Sequence, residues 1–218
     1  LGSVVTRIPP TGQAAIESLV YHQALGLARR GHHISLFAPS GSLIPSPNVE
    51  MIEVGDGGTL SGSGKNDGQI QEMIQKIGSS YKLRLEIANL GILLGKFIEK
   101  RDDFDVVLNN LRGEAVVAPV ASYFQKPFVH VMHLPLFDEL VTLFQTYNTH
   151  LISISDAQRR AYPSAHYAAT VYNGVDTDEF AYHERPSDYF LYLGSLGSNK
   201  NPKEAILACI TAGVPMKI

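Results

Sequence analysis

The chain has 218 residues, enough for one large domain or one and a half smaller ones with a real core. Hydrophobic residues make up 44% and charged residues 18%, an ordinary globular balance, and a net charge of −3 gives no broad pull toward nucleic acid or an anionic membrane. The single cysteine, Cys209, excludes an internal disulfide, and no apolar run approaches the roughly 20 residues that a membrane-spanning helix needs.

Gly2 to Thr6 reads as the end of a buried strand, broken by Pro9-Pro10-Thr11-Gly12. Apolar residues then recur at helical spacing from Ala14 to Arg30, and Gly31 closes that helix as a left-handed cap. Strands follow at His33–Ala38 and Val49–Val54. The glycine- and serine-rich stretch from Gly55 to Gly68 is expected to be a mobile surface loop. A long helical region, Gln69 to Lys100, is expected to break near Gly78-Ser79-Ser80. Strand Phe104–Leu108, helix Gly113–Tyr123, strand Pro127–Met132, helix Asp138–Gln145 and strand His150–Ser153 come next. Ser155 caps a short helix that stops before Pro163, and Ala168–Tyr172 closes the series.

Strands alternate with helices and are apolar nearly throughout, which predicts an α/β fold: a Rossmann-like parallel sheet with helices on both faces. The periodicity lapses into a polar connection over Asp176–Pro186. A second unit then opens with strand Tyr189–Leu193, helix Pro202–Ala212 and a strand start at Met216. The predicted domains are 1–178, a Rossmann-like acceptor-side domain, and 179–218, a partial βαβ second domain. So short a βαβ piece cannot bury enough surface to stand alone. A truncated chain is therefore expected, or another polypeptide that completes the sheet. The chain does not open on Met, so a few residues upstream are expected to have been removed.

Several positions carry candidate chemistry. Gly12 lies between a strand and a helix start, where a glycine lets backbone N–H groups approach an anion; a tight strand-to-helix turn would equally ask for one. Gln13, Ala14 and Ala15 stand where a dinucleotide site wants further glycines, which argues against a nicotinamide cofactor. His133 follows a parallel strand, at the edge where open α/β sheets bind ligands. Arg112 and Glu114 flank Gly113 at the same edge and could position an acceptor. Adjacent His32 and His33 point to opposite faces without an acidic or thiol partner, so no metal site is expected there. Arg159 and Arg160 read as a solvated helix face, and Asn173-Gly174 as a turn beside Asp176.

Three stretches together resemble the family-4 glycosyltransferases of GT-B fold. The first runs from Pro10-Thr11-Gly12-Gln13 through Glu17 to Leu27–Ala38. The second is His133 with Ser153-Ile154-Ser155 and Gln158-Arg159-Arg160. The third, Tyr172-Asn173-Gly174-Val175-Asp176, Phe180, Phe190–Gly194 and Lys200-Asn201-Pro202, is the most specific. The resemblance implies a carbohydrate-biosynthetic enzyme that moves a sugar from a nucleoside-diphosphate sugar to an acceptor with retention. It implies no cofactor, no metal and no nucleic-acid partner, and a cytoplasmic place that leaves peripheral membrane contact open through the amphipathic Tyr81–Lys100. His133 would be the catalytic-site residue near the sugar. Gly12, Gln13, Gly194 and Lys200 would bind the donor diphosphate. Arg112, Glu114 and the loop at Gly55–Gly68 would meet the acceptor.

Ser195 stands where the family's arginine is expected, which removes one charge-assisted phosphate contact of about 1.5–3 kcal/mol. The donor-side carboxylate pair would lie beyond Ile218, so this chain alone is expected to be incomplete and inactive. Two other readings stay open. One is a non-catalytic or half-enzyme subunit, whose second sheet a homo-oligomer or a separate donor-domain chain would complete. The other is a sugar-nucleotide epimerase of the same fold.

Overall fold

The computed structural model describes residues 1–12, 14–55, 72, 75, 76, 78 and 80–218. The chain divides into two compact units, Leu1–Gly174 and Val175–Ile218.

In the first unit α1 (Ala15–Arg29) leads to β1 (Ile34–Ala38) and β2 (Val49–Glu53), and α2 (Tyr81–Glu99) to β3 (Val107–Asn109). Then come α3 (Glu114–Ser122), β4 (Phe128–Met132), α4 (Asp138–Thr146), β5 (His150–Ser153), α5 (Asp156–Ala161) and β6 (Tyr167–Thr170). β1 pairs with β2, and β3-β4-β5-β6 form a four-stranded sheet; every pairing is parallel. The expected alternation is therefore present, and helices cover the sheet as its apolar strands require.

The first segment departs from a regular strand yet does a strand's work. The Gly2 N–H donates to the Phe37 carbonyl at 3.0 Å, and the Asn110 N–H donates to the Leu1 carbonyl at 3.0 Å. The Leu1 amino group donates to the Leu108 carbonyl at 2.6 Å. Leu1-Gly2 thus bridges β1 and β3. A side chain on Gly2 would meet Ile8 Cδ1 at 2.7 Å and the Phe37 carbonyl at 3.1 Å, so the seam admits only glycine without a shift.

Two cores lie on opposite faces of β1, as alternation along a strand dictates. Leu36 and Ala38 pack with Ile8, Val20, Ala24 and Ile44. Phe37 enters the larger core with Leu90, Leu93 and Phe97 of α2, Val117 and Ala121 of α3, and Leu140 and Phe144 of α4. Val20, Ala24 and Ala28 recur every four residues on α1, which places them on its buried side. Gly31, at φ +89, ends that helix and sends its N–H to the Ala28 carbonyl, the left-handed closure read from the sequence. Gly78 at φ +103 breaks the chain before α2. The expected loop over Gly55–Gly68 lies, beyond Gly55, outside the described residues. β3 begins three residues later than the sequence pattern indicates, because Phe104 turns inward to stack on Phe97 at 5.4 Å rather than extending the strand.

The second unit is a single βαβ element: β7 (Phe190–Leu191), α6 (Pro202–Ala212) and β8 (Met216–Lys217), with β7 parallel to β8. Pro202 opens α6 and Gly213, at φ +68, closes it. None of the described residues from Val175 to Ile218 is buried. One helix on two short strands cannot enclose apolar side chains, and Leu193, Leu196 and Ile210 stand exposed.

Candidate functional site

All strands of the four-stranded sheet point the same way, so the residues after β3, β4, β5 and β6 converge on one edge. Asn110 follows β3 and is buried, with its backbone fixed by the seam to Leu1. Its amide lies between two partners: Nδ2 donates to Gln23 Oε1 of α1 at 3.0 Å, and Oδ1 lies 2.8 Å from His133 Nε2. Because the amide nitrogen is spent on Gln23, Oδ1 is the acceptor and His133 Nε2 carries the hydrogen. The Nδ1 of His133 is then the unprotonated nitrogen, and among the described residues nothing hydrogen-bonds to it. Burial holds the imidazole below its ordinary value, and the Arg112 guanidinium adds repulsion, so the ring is neutral near pH 7. The result is an oriented hydrogen-bond acceptor at the ligand edge of a parallel sheet.

Gln158 fixes the loop that carries His133. Its Nε2 donates to the Met132 carbonyl at 2.8 Å and to the Leu134 carbonyl at 3.3 Å, while its Oε1 accepts from the Ile154 N–H at 3.0 Å. Ser155 Oγ accepts from the Gln158 N–H at 3.2 Å, capping α5 as its sequence indicates. Arg159 corrects the reading of a solvated face. Its Nη1 donates to Thr170 Oγ1 at 3.1 Å and its guanidinium lies 4.8 Å over the Tyr167 ring, pinning α5 to β6. Arg160 is exposed.

Below that edge, His130 on β4 is buried, with Nδ1 2.9 Å from Asn109 Nδ2. Asn109 Oδ1 in turn accepts from the Leu111 N–H at 3.2 Å. Burial, with repulsion from His133, pushes the His130 pKa down to about 3.

The other sequence-predicted residues are placed as follows. Gly12 has φ +95, and a Cβ there would meet nothing within 4 Å. α1 starts at Ala15 behind Ala14, which supplies no side-chain cap, and its first turn carries Glu17. Gln13 lies outside the described residues. Arg112 is exposed beside the His133 edge. Glu114 is turned to local use: its Oε2 accepts from the Gly113 N–H at 2.8 Å, a carboxylate at the start of α3. Gly113 itself has φ +97, and a Cβ there would lie 2.9 Å from Leu90 Cδ1.

In the second unit, Tyr192 Oη lies 2.9 Å from the Ser195 carbonyl and 3.1 Å from the Lys200 carbonyl, folding the loop from Gly194 to Lys200 around one ring. Lys200 is exposed at the end of a 3₁₀ turn, just before α6. Asp176 Oδ1 accepts from the Asp178 N–H at 3.1 Å, the local turn expected of it.

A cleft of about 650 Å³ runs from the amino ends of β1 and β3 to Gln23 and Asn110, the amide pair behind His133. Its walls include Val20, Ala24, Leu27, Leu36 and Val107, with His32 and His33 at its rim, and it does not include His133. Among the described residues no group of three or more His, Cys, Asp or Glu is placed to hold a metal ion. No described helix is long and apolar enough to cross a membrane.

The sequence profile of the family described as Glycosyltransferase Family 4 matches residues 16–179. The chain belongs to glycosyltransferase family 4. The match runs from the first turn of α1 past β6, so the edge bearing Asn110, His133 and Gln158 lies within the family-4 region. Comparison with the curated proteins returns no match.

Proposed function

We propose that this family-4 chain serves transfer of a sugar from a nucleoside diphosphate to an acceptor hydroxyl with retention of the anomeric configuration. The observation that carries the reading is His133: neutral, held as the Nε2–H tautomer by Asn110, and with no hydrogen bond to Nδ1 among the described residues. Such a nitrogen accepts a hydrogen bond from a hydroxyl of the transferred sugar or of the acceptor. In the reaction, the bond between the anomeric carbon and the diphosphate oxygen breaks. The acceptor oxygen takes its place on the same face, and the acceptor proton leaves with the diphosphate. That needs stabilisation of the departing charge rather than a protein nucleophile.

For the first unit, Gly12 before α1 suits a phosphate, because Ala14 supplies no side-chain cap and the helix dipole favours an anion there; Gln13, next to it in sequence, is proposed to share that contact. For the second unit, Gly194 and Lys200 suit the diphosphate; Lys200 is exposed and makes no ion pair among the described residues. Arg112 is the better candidate for the acceptor, since the Glu114 carboxylate is engaged with Gly113.

The test, run on the full-length protein, is transfer from a panel of nucleoside-diphosphate sugars, with the product's anomeric configuration read by NMR. His133→Ala is expected to lower turnover by about 100-fold while leaving nucleotide binding within a few-fold. Lys200→Ala is expected to weaken nucleoside-diphosphate binding by roughly 10- to 100-fold. An inverted product would overturn the retaining reading, and conversion of sugar nucleotide without acceptor would establish the epimerase.

A further inference from the structure

The inner side of α2 is committed to the core through Leu90, Leu93 and Phe97. Its outer side is apolar as well, and no described residue of the first unit buries it. Leu83, Ile87, Ile92 and Ile98 are 42–60% exposed. Between them Ala88, Gly91 and Gly95 are exposed, and a Cβ on either glycine would meet nothing within 4 Å. At 100° per residue Arg84, Gly91 and Gly95 lie within about 20° of one line, with Ala88 about 40° and Glu99 about 60° to one side of it. Arg84 and Glu99 are both exposed and are the charges of this face, one at each end.

That order is self-complementary. When two copies of α2 are laid antiparallel about a two-fold axis between positions 91 and 92, residue i faces the partner position at 183 minus i. Arg84 then meets the partner copy's Glu99, and Glu99 its Arg84. Ala88 faces Gly95, small against small, and Gly91 leaves space for the opposing Ile92. A two-fold interface requires this kind of self-match from one surface patch. A parallel pair would set Arg84 against Arg84. A lipid surface gains nothing from a glycine-floored centre and is repelled by Glu99 when its headgroups are anionic. We propose that the outer face of α2 is a homodimer interface, formed by antiparallel packing of α2 on the same helix of a second copy.

The test uses the whole chain. Sedimentation velocity over a concentration series is expected to show a monomer–dimer equilibrium. Arg84→Glu or Glu99→Arg alone sets like charges opposite each other at both ends and is expected to weaken association by about tenfold. The combined Arg84→Glu/Glu99→Arg variant is expected to return to within about twofold of the parent. In a Cys209→Ser background, Gly91→Cys beside the axis is expected to form a disulfide-linked dimer under mild oxidation. Arg84→Cys is not, because its two copies would lie about 22 Å apart along the helices, far outside disulfide reach. A monomer at every concentration overturns the proposal. So does a dimer indifferent to the charge exchange, cross-linking at position 84 in place of 91, or vesicle binding by a chain that stays monomeric.

Discussion

Acidification between pH 6.5 and 3 is expected to destabilise the first unit through His130. In the unfolded chain this histidine titrates near its ordinary 6.5; in the fold its pKa is down at about 3. Burial is the main cause, since the ring is 3% exposed with Phe144 5.6 Å away, and His133 adds repulsion. Between those values the unfolded chain holds a proton that the folded chain refuses, so unfolding is favoured as pH falls. The stabilising contribution is complete above pH 6.5 and is lost on the way down to about 3. Each pH unit in that window is worth about 1.4 kcal/mol, which gives roughly 2 kcal/mol at pH 5. Other groups also titrate, so the measurement is a difference. Urea unfolding of the parent and of His130→Gln, whose side chain can still accept from Asn109 Nδ2, is followed at pH 7.5, 6 and 5. The parent is expected to lose about 2 kcal/mol more than the variant between the extremes. Parallel stability profiles, or an NMR titration of the His130 ring above pH 5, would refute the reasoning.

Phe97 is 1% exposed and touches the rings of Phe37, Phe104 and Phe124, so Phe97→Ala is expected to cost about 3–5 kcal/mol in urea unfolding. Gly113→Ala combines a left-handed backbone with a 2.9 Å approach to Leu90 Cδ1, and a loss of about 1–3 kcal/mol is expected by the same assay. Gln158→Ala removes three hydrogen bonds that tie the His133 loop to the turn after β5; a loss of about 2 kcal/mol and faster amide exchange at Ile154 should accompany it. Amides of Phe190 to Lys217 are expected to exchange far faster than those of Phe128 to Ser153, because no described residue of the second unit is buried. Comparable protection in both would contradict the picture of an uncored βαβ element.

The alternation of helix and strand was legible because burial on both faces leaves continuous apolar runs, as in Phe128–Met132, and one-sided burial leaves a four-residue beat, as in Val20, Ala24 and Ala28. What escaped were contacts whose partners lie far apart in sequence. Gln23 sits on α1 like any polar surface residue, and its role depends on Asn110, 87 positions away. Asn109-Asn110 after an apolar strand was the available signal, since two amides at a parallel strand's end seldom lack a use. Arg159 looked solvated because Tyr167 and Thr170 approach it only once β6 has paired with β5. Glu114 was legible as a polar residue at the right edge. Its engagement with Gly113 depends on the left-handed turn, which the letters Arg-Gly-Glu do not reveal.

The seam at Leu1-Gly2 orders events during synthesis. β1 and β2 are neighbours in the chain and can pair as soon as they leave the ribosome, but Leu1 waits for position 108, a separation of 107, before its backbone is satisfied. Asn110 then anchors to Leu1 by its main chain and to Gln23 and His133 by its amide. Joining the two halves of the sheet and setting the histidine's proton are therefore one late step, and a nascent chain stalled short of residue 110 would hold neither.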